Sequence, residues 1–270
     1  MNSRSLLSFF ALVFALSVPF WLLGATSDLQ LMPGLSVSAL MTFCPMAAAL
    51  ILVQRDSGAA GVTELMRRSF DFKRIREMRW YLPILLTMPA VSVVVFALMS
   101  WMAMPPPAPQ FSAVAAPAAL LMFIAFFIGA LGEELGWSGY ILDALQERWN
   151  ALQASIILGL VGIVWHLVPL LLIHRSPTWI AWWCLYAVAA RILTVWLYNN
   201  TGKSVFAAAL FHATLNLSFM LFPVDGSHFD MRLGGLVMAF TAALVTMVWG
   251  PITLAGYQRT SRAPYRAGPS

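Results

Sequence analysis

The feature of this sequence that most constrains its fold is a series of eight apolar stretches, each about 20 residues long. An α-helix of that length crosses the hydrocarbon core of a bilayer and pairs its own backbone N–H and C=O groups where no water can do so. The sequence therefore predicts an all-α, polytopic membrane protein with about eight transmembrane helices. The stretches are residues 6–24, 35–54, 80–101, 115–138, 152–173, 179–198, 203–222 and 232–255.

The composition excludes a soluble globular domain. Hydrophobic residues make up 60% of the chain and charged residues 10%, whereas soluble domains carry about 25% charged residues. Few long polar gaps separate the apolar stretches, which indicates a single integral-membrane domain over residues 1–270. The net charge of +5 comes from basic residues beside the apolar stretches rather than from a folded basic patch, so nucleic acid is not an expected partner.

The basic residues predict the orientation, because Lys and Arg are retained on the cytoplasmic side during insertion. With eight spans, both termini lie on one side of the membrane. Arg175 and Arg232 fall on the opposite side, and Arg191 falls within a span. We therefore expect a multi-pass protein of the cell membrane with both termini in the cytoplasm. The other basic residues all lie on the side of the termini: Arg4, Arg55, Arg67, Arg68, Lys73, Arg74, Arg76, Arg79, Arg148, Lys203, Arg259, Arg262 and Arg266.

Two connections between the stretches have distinctive sequences. Over residues 55–79, apolar residues alternate with Lys and Arg at near-helical spacing. This pattern is typical of a helix lying at an anionic lipid surface, and a solvated basic loop is the alternative. Residues 104–110, MPPPAPQ, cannot form a regular helix and are predicted to be an external loop.

A few polar residues within the apolar stretches are candidates for function, because an ionisable side chain in lipid is costly. Each one taken alone also fits a structural role, such as a hydrogen bond between helices or a side chain that reaches the interface. His212 and Asn216 are four residues apart, which places them on one face of a helix. The set comprises Glu133, Glu134, His166, Arg191, His212 and Asn216.

These residue types suit hydrolysis. A carboxylate and an imidazole that converge can hold and deprotonate a water molecule. A second imidazole and a carboxamide on a facing helix can donate hydrogen bonds to the oxygen of a tetrahedral intermediate. Together they are the groups that a peptidase requires.

Three runs of sequence resemble the motifs of the CPBP family, which groups the type II CAAX prenyl endopeptidases with bacteriocin-processing and Abi proteins. The runs are GEELGWSGYILDALQ at 132–146, VGIVWHLVP at 161–169 and FHATLN at 211–216. The family pattern is EExxxR, then an aromatic residue followed by His, then HxxxN. The resemblance covers residues 60–220, including RSFDFKRIREMRWYLP and TVWLYNNTG, and it identifies the chain as similar to the CPBP intramembrane proteases.

The resemblance implies a glutamic protease whose site opens towards the cytosol. By position, Glu133 would be the general base, and His166 would help to hold the water. His212 and Asn216 would stabilise the oxyanion, and Glu134 would support the site. Short loops suggest a compact bacterial member of the plasma membrane.

The chain departs from the family pattern where EExxxR has its Arg, because that position is Ser138. Either Glu134 is protonated or another cation replaces the missing one. Arg191 is otherwise an unexplained charge within a span, and our hypothesis is that it pairs with Glu134; the alternative is that it reaches the interface or pairs with backbone carbonyls. Since His166 lies deeper than Glu133 by residue count, a broken or tilted helix is expected near residues 136–139.

Two tryptophans lie close in sequence to candidate site residues. Trp137 and Trp165 flank the candidate Glu and His, where an aromatic wall would limit water; plain packing is the alternative.

Two other catalytic chemistries remain open at this stage. The sequence GWSG around Ser138 resembles the GxSG of rhomboid serine proteases, and a Ser beside a His can act as nucleophile. Glu133, His166 and His212 could also supply three zinc ligands, although the chain has no HExxH. His174 and His228 fall at span ends and are interpreted as interface residues.

Two hypotheses need no catalysis. A proton-coupled transporter could carry buried Glu and His, but the sequence has no internal repeat. A catalytically silent immunity or scaffold member of the same family would also account for Ser138. The prediction is an endopeptidase without cofactor or covalent intermediate, acting on a membrane-associated substrate: a lipidated protein, a bacteriocin leader or a membrane-protein tail.

Overall fold

The computed structural model describes residues 3–32, 35–104, 115–223 and 226–256. The described chain is almost entirely helical, which confirms the all-α prediction. A two-stranded antiparallel hairpin, β1 (Gln30–Met32) and β2 (Leu35–Ser36), is the exception. The α-helices are α1 (Ser3–Thr26), α2 (Cys44–Arg67), α3 (Tyr81–Trp101), α4 (Ala115–Gly136), α5 (Leu142–Gln146), α6 (Ala151–Leu172), α7 (Pro177–Asn200), α8 (Val205–Leu221) and α9 (Met231–Trp249).

Seven helical stretches in the described ranges are long and apolar enough to cross a membrane. They correspond to seven of the eight predicted spans, and the eighth is α8. That helix has 17 residues and is therefore about 25 Å long, at the lower limit for a span. The polytopic architecture is thus as predicted, with one short helix.

The helix that carries the two glutamates does not end where the sequence predicted. After α4 the chain makes a π-helical turn over Trp137–Ile141 and continues into α5, so one helical rod reaches from residue 117 to 146. π-Helical turns are frequent at functional sites. Where a broken or tilted helix was expected near residues 136–139, the rod is continuous and contains this π-turn.

Glycines let α4 approach the start of α2 closely. A Cβ atom on Gly136 would lie 2.5 Å from the backbone C and O atoms of Pro45, and one on Gly132 would lie 2.9 Å from the backbone O of Thr42. Small residues of this kind allow helices to pack at short range in a membrane. The approach brings Thr42 beside the glutamates.

Gly136→Ala is expected to destabilise the protein by about 1–3 kcal/mol, because the added methyl group overlaps a backbone that cannot yield. Gly162→Ala is the matched control, since a Cβ there has nothing within 4 Å and alanine favours a helix by about 0.5–1 kcal/mol. The free energy of unfolding in detergent should fall for the first variant and hold or rise for the second. Equal losses would contradict the packing described here.

The basic connection over residues 55–79 is part α-helix and part 3-10 turns. Helix α2 runs on to Arg67, interrupted by the left-handed Gly58 (φ 63°), and short 3-10 turns follow at Arg68–Phe70, Phe72–Arg74 and Met78–Trp80. Several side chains of this connection are buried, among them Ser69, Ile75 and Trp80. One continuous helix over 55–79 is therefore not formed, and the buried side chains contradict a purely solvated loop. Contact of this segment with a lipid surface stays a prediction.

Parts of two earlier predictions lie outside the described residues. They are positions 105–110 of the expected external loop and the three C-terminal arginines, Arg259, Arg262 and Arg266.

The helices that carry the candidate residues form a connected bundle. Helix α4 packs against α2 and α8, and α7 packs against α6, α8 and α9. The glutamates on α4, His166 on α6, Arg191 on α7 and His212 on α8 therefore face a common interior.

Candidate active site

A cavity of about 150 Å³ lies between α4, α6, α7 and α8. All six polar residues singled out within the apolar stretches line it. Burial of so many ionisable groups in one cavity is what a functional site in a membrane requires. The lining residues are Glu133, Glu134, Leu158, Gly159, Gly162, His166, Trp183, Tyr186, Ala187, Ala190, Arg191, Thr194, His212, Leu215 and Asn216.

Glu134 is fully buried and holds three side chains together. Its carboxylate lies 3.0 and 3.1 Å from the same guanidinium nitrogen of Arg191. It also lies 3.1 Å from Nδ1 of His212 and accepts a hydrogen bond from the hydroxyl of Ser138. The pairing of Arg191 with Glu134 suggested by the sequence is present, so Arg191 supplies the cation that the EExxxS motif lacks.

Glu133 faces the same cavity with a different set of partners. The Trp137 indole donates to its carboxylate at 3.3 Å, and the Thr42 hydroxyl lies 3.2 Å away. The two adjacent glutamates therefore have different surroundings. Glu134 is enclosed by an ion pair, whereas Glu133 touches only neutral donors and keeps access to the cavity.

The ring orientation of His166 is fixed by the backbone. Its Nδ1 lies 2.8 Å from the carbonyl oxygen of Gly162. Because a carbonyl only accepts hydrogen bonds, Nδ1 carries a proton, and in a neutral ring Nε2 is the nitrogen with the lone pair. The rings of Trp165 and Trp183 flank the imidazole, with centroids 4.7 and 5.5 Å away.

His212 and Asn216 occupy the α8 wall of the cavity, one helical turn apart. Since Glu134 is a carboxylate beside Arg191, Nδ1 of His212 donates to it and Nε2 stays free. The Asn216 carboxamide has no hydrogen-bond partner in the described part of the chain. Both groups are thus available to a bound molecule.

Two comparisons with known proteins bear on this cavity. Residues 115–218 match the family described as type II CAAX prenyl endopeptidase Rce1-like. The match runs from the start of α4 to residue 218 in the last turn of α8 and contains every cavity-lining residue. The resemblance to the CPBP family is confirmed.

A curated relative agrees with the family match. The CAAX prenyl protease 2 of Methanococcus maripaludis is 28% identical over 145 residues, which are 50% of this chain and 52% of the relative. The chain thus matches about half the length of this relative.

The tryptophans at 137 and 165 lie behind the cavity rather than in its lining. Trp137 and Trp165 are buried and pack edge to face with ring centroids 5.6 Å apart. The Trp165 indole donates to Ser17 of α1 at 2.7 Å. The aromatic wall of the cavity is formed instead by Trp183 and Tyr186 of α7.

The structure also gives positions for the residues of the rival chemistries. Ser138 is buried and does not line the cavity, and its hydroxyl donates a hydrogen bond to Glu134. Within the described ranges, no three His, Cys, Asp or Glu side chains are grouped as metal ligands would be. His174 and His228 are exposed in the turns between α6 and α7 and between α8 and α9.

Sequence reasoning missed Thr42, Thr194, Trp183 and Tyr186. Threonine and aromatic residues are common in apolar spans and at their ends, so no pattern distinguished these four from packing residues. A close approach of Thr42 could have been inferred only from the glycines at 129, 132 and 136, since small residues mark the helix face that meets a neighbour.

Proposed function

We propose that this protein is an intramembrane endopeptidase of the CAAX-processing type that hydrolyses a peptide bond in a membrane-associated substrate. The observation that carries the proposal is the convergence of Glu133, His166, His212 and Asn216 on one cavity. The family match over residues 115–218 and the Methanococcus relative support it.

Glu133 and His166 are the pair that would activate water. A water molecule between them donates one hydrogen bond to the Glu133 carboxylate and one to Nε2 of His166. Glu133 takes the proton as the water oxygen attacks the scissile carbonyl, and it then passes that proton to the leaving amine. No covalent bond to the protein forms in this sequence of steps.

His212 and Asn216 would stabilise the oxyanion of the tetrahedral intermediate. The Asn216 amide donates directly, and His212 donates from Nε2 when its ring is protonated. Glu133, Glu134 and Arg191 together carry a charge of −1, so a protonated His212 makes the buried cluster neutral.

Glu134 and Arg191 would hold this arrangement in place. The carboxylate fixes the ring of His212 through Nδ1, and Arg191 compensates the buried carboxylate charge. The roles of the two glutamates follow from their partners, with Glu133 reactive and Glu134 supporting.

The proposal includes no metal or other cofactor. The substrate is a membrane-associated peptide or protein, and a prenylated CAAX peptide is the first candidate because the matched family processes such peptides. The cell membrane is the proposed location, with both termini cytoplasmic, as in a bacterial plasma membrane.

The test is cleavage of a fluorogenic prenylated CAAX peptide and of a panel of leader peptides by purified protein in detergent. We expect cleavage that is indifferent to chelators. Loss of activity with a chelator and its return with zinc would make Glu133, His166 and His212 metal ligands. A folded protein that cleaves nothing across the panel would favour the silent immunity or scaffold alternative.

Ser138→Ala is expected to retain kcat within about tenfold, because Glu134 keeps Arg191 and His212 as donors. A serine protease that loses its nucleophile loses a factor of about 10⁶ in kcat. Steady-state kinetics on the same peptide distinguish the two. A drop of the larger size would restore the serine mechanism.

A further inference from the structure

Arg68 connects three helical elements outside the cavity. One guanidinium nitrogen donates to the carbonyl of Gly139 at 2.6 Å, within the π-turn that follows α4. The other donates to the hydroxyl of Tyr198 at 2.8 Å and to the carbonyl of Lys203 at 2.9 Å. A single side chain thus touches the glutamate-bearing rod, the end of α7 and the turn before α8.

Asp71, three residues later, holds the start of α8. Its carboxylate accepts the hydroxyl of Ser204 at 2.7 Å and the backbone N–H groups of Val205 and Phe206 at 3.2 and 3.0 Å. The first N–H groups of a helix lack partners within the helix, and a carboxylate there also offsets the helix dipole. Asp71 therefore fixes both the position and the direction of α8 at this end.

The backbone also packs closely at this point. Gly202 has φ 68°, and a Cβ on it would lie 2.8 Å from the backbone O of Arg74. The turn between α7 and α8 therefore lies directly on the 68–74 segment. Contact of this kind leaves little room for one element to shift against the other.

The two side chains hold the helices that carry the chemistry. Glu133 and Glu134 are on α4, Arg191 is on α7 and His212 is on α8. Arg68 contacts the π-turn that follows α4 and the last turn of α7, and Asp71 contacts the first turn of α8. A misplacement of about 1 Å between reacting groups can cost about 10²-fold in rate. We propose that Arg68 and Asp71 are positioning residues that set His212 against the two glutamates.

Arginine suits this place better than lysine. Its planar fork presents donors in several fixed directions, whereas a lysine ammonium is a compact charge at the end of a flexible stem. Three acceptors on three elements surround Arg68, so Arg68→Lys should retain only part of the restraint. The proposal rests on the proposed peptidase function for its kinetic readout alone.

The first arm of the test needs no substrate. Hydrogen–deuterium exchange of purified protein should rise about tenfold or more in peptides covering 137–142 for Arg68→Ala and 203–208 for Asp71→Ala. The matched control is Arg67→Ala, whose side chain is 75% exposed beside Glu64. Exchange at both segments no greater than in that control would overturn the proposal.

The second arm measures kinetics per folded protein on a peptide that the wild type cleaves. We expect Arg68→Ala to lower kcat at least tenfold with KM within about twofold. Arg68→Lys should be intermediate, and Asp71→Asn should stay within about threefold, because asparagine still caps a helix. A kcat equal to that of Arg67→Ala, or a loss in KM alone, would overturn the proposal.

The two arms separate this inference from the proposed function. Increased exchange in a protein whose wild type cleaves nothing would support the restraint and count against the peptidase. Cleavage by the wild type with unchanged exchange in the variants would support the peptidase and refute the restraint.

Discussion

Glu133→Gln is expected to lower kcat by a factor of about 10²–10⁴, the contribution of a positioned general base. Glutamine keeps the shape of the side chain and can still accept a hydrogen bond from Trp137 or Thr42, but it cannot take a proton from water. Steady-state cleavage of the prenylated peptide measures the effect, and the unfolding transition should stay close to that of the wild type.

Glu64→Gln is the control for Glu133→Gln, because it makes the same chemical change at a side chain that is 65% exposed on α2. It should leave kcat unchanged. If Glu133→Gln retains kcat within about tenfold of this control, Glu133 is not the base.

Arg191→Gln is expected to reduce the free energy of unfolding by about 3–5 kcal/mol, the cost of leaving a buried charge without its partner. Glu134, whose side chain is only 1% exposed, then keeps only His212 and Ser138 as partners and lacks its permanent cation. The loss is measured by unfolding the protein in detergent, with tryptophan fluorescence as the signal, or as a lower melting temperature.

A double variant distinguishes the lost ion pair from lost packing. Arg191→Gln with Glu134→Gln removes both charges, so it should recover most of the stability, as replacing both members of a buried pair often does. Arg232→Gln, at a more exposed pair with Asp230, should cost less than about 1 kcal/mol. If Arg191→Gln costs no more than Arg232→Gln, Arg191 does not compensate Glu134.

The membrane-spanning helices could be predicted from the sequence because a bilayer leaves the backbone few alternatives. Hydropathy did not reveal how far two of those helices continue past the apolar stretches. Helix α2 extends to Arg67, and the rod that begins with α4 passes through the π-turn to Gln146. Those extensions are stabilised by contacts with other elements, which a local pattern does not contain.

Convergence of the polar residues could also be predicted, since isolated ionisable groups in lipid need partners. The absence of an Arg at Ser138 and the unexplained Arg191 together indicated the ion pair with Glu134. The catalytic roles of Glu133, His166, His212 and Asn216 stay predictions until variants are measured.

Arg68 and Asp71 could not be recognised from the sequence. Arg68 lies among other basic residues, and the sequence assigned all of them to setting the orientation of the protein in the membrane. Only the fold distinguishes a buried guanidinium that contacts Gly139 and Tyr198 from an exposed one at Arg67.

The most direct test of the proposed mechanism is mass spectrometry of the products formed by purified wild-type protein in H₂¹⁸O with added hydroxylamine. Direct attack by a water held at Glu133 and His166 predicts one ¹⁸O in the new carboxyl terminus and no hydroxamate. Glu133→Gln should form the ¹⁸O-labelled product far more slowly than the wild type, and it should form no hydroxamate. A hydroxamate would reveal an acyl-enzyme, and equal cleavage by Glu133→Gln would place the base elsewhere; either result would contradict the mechanism.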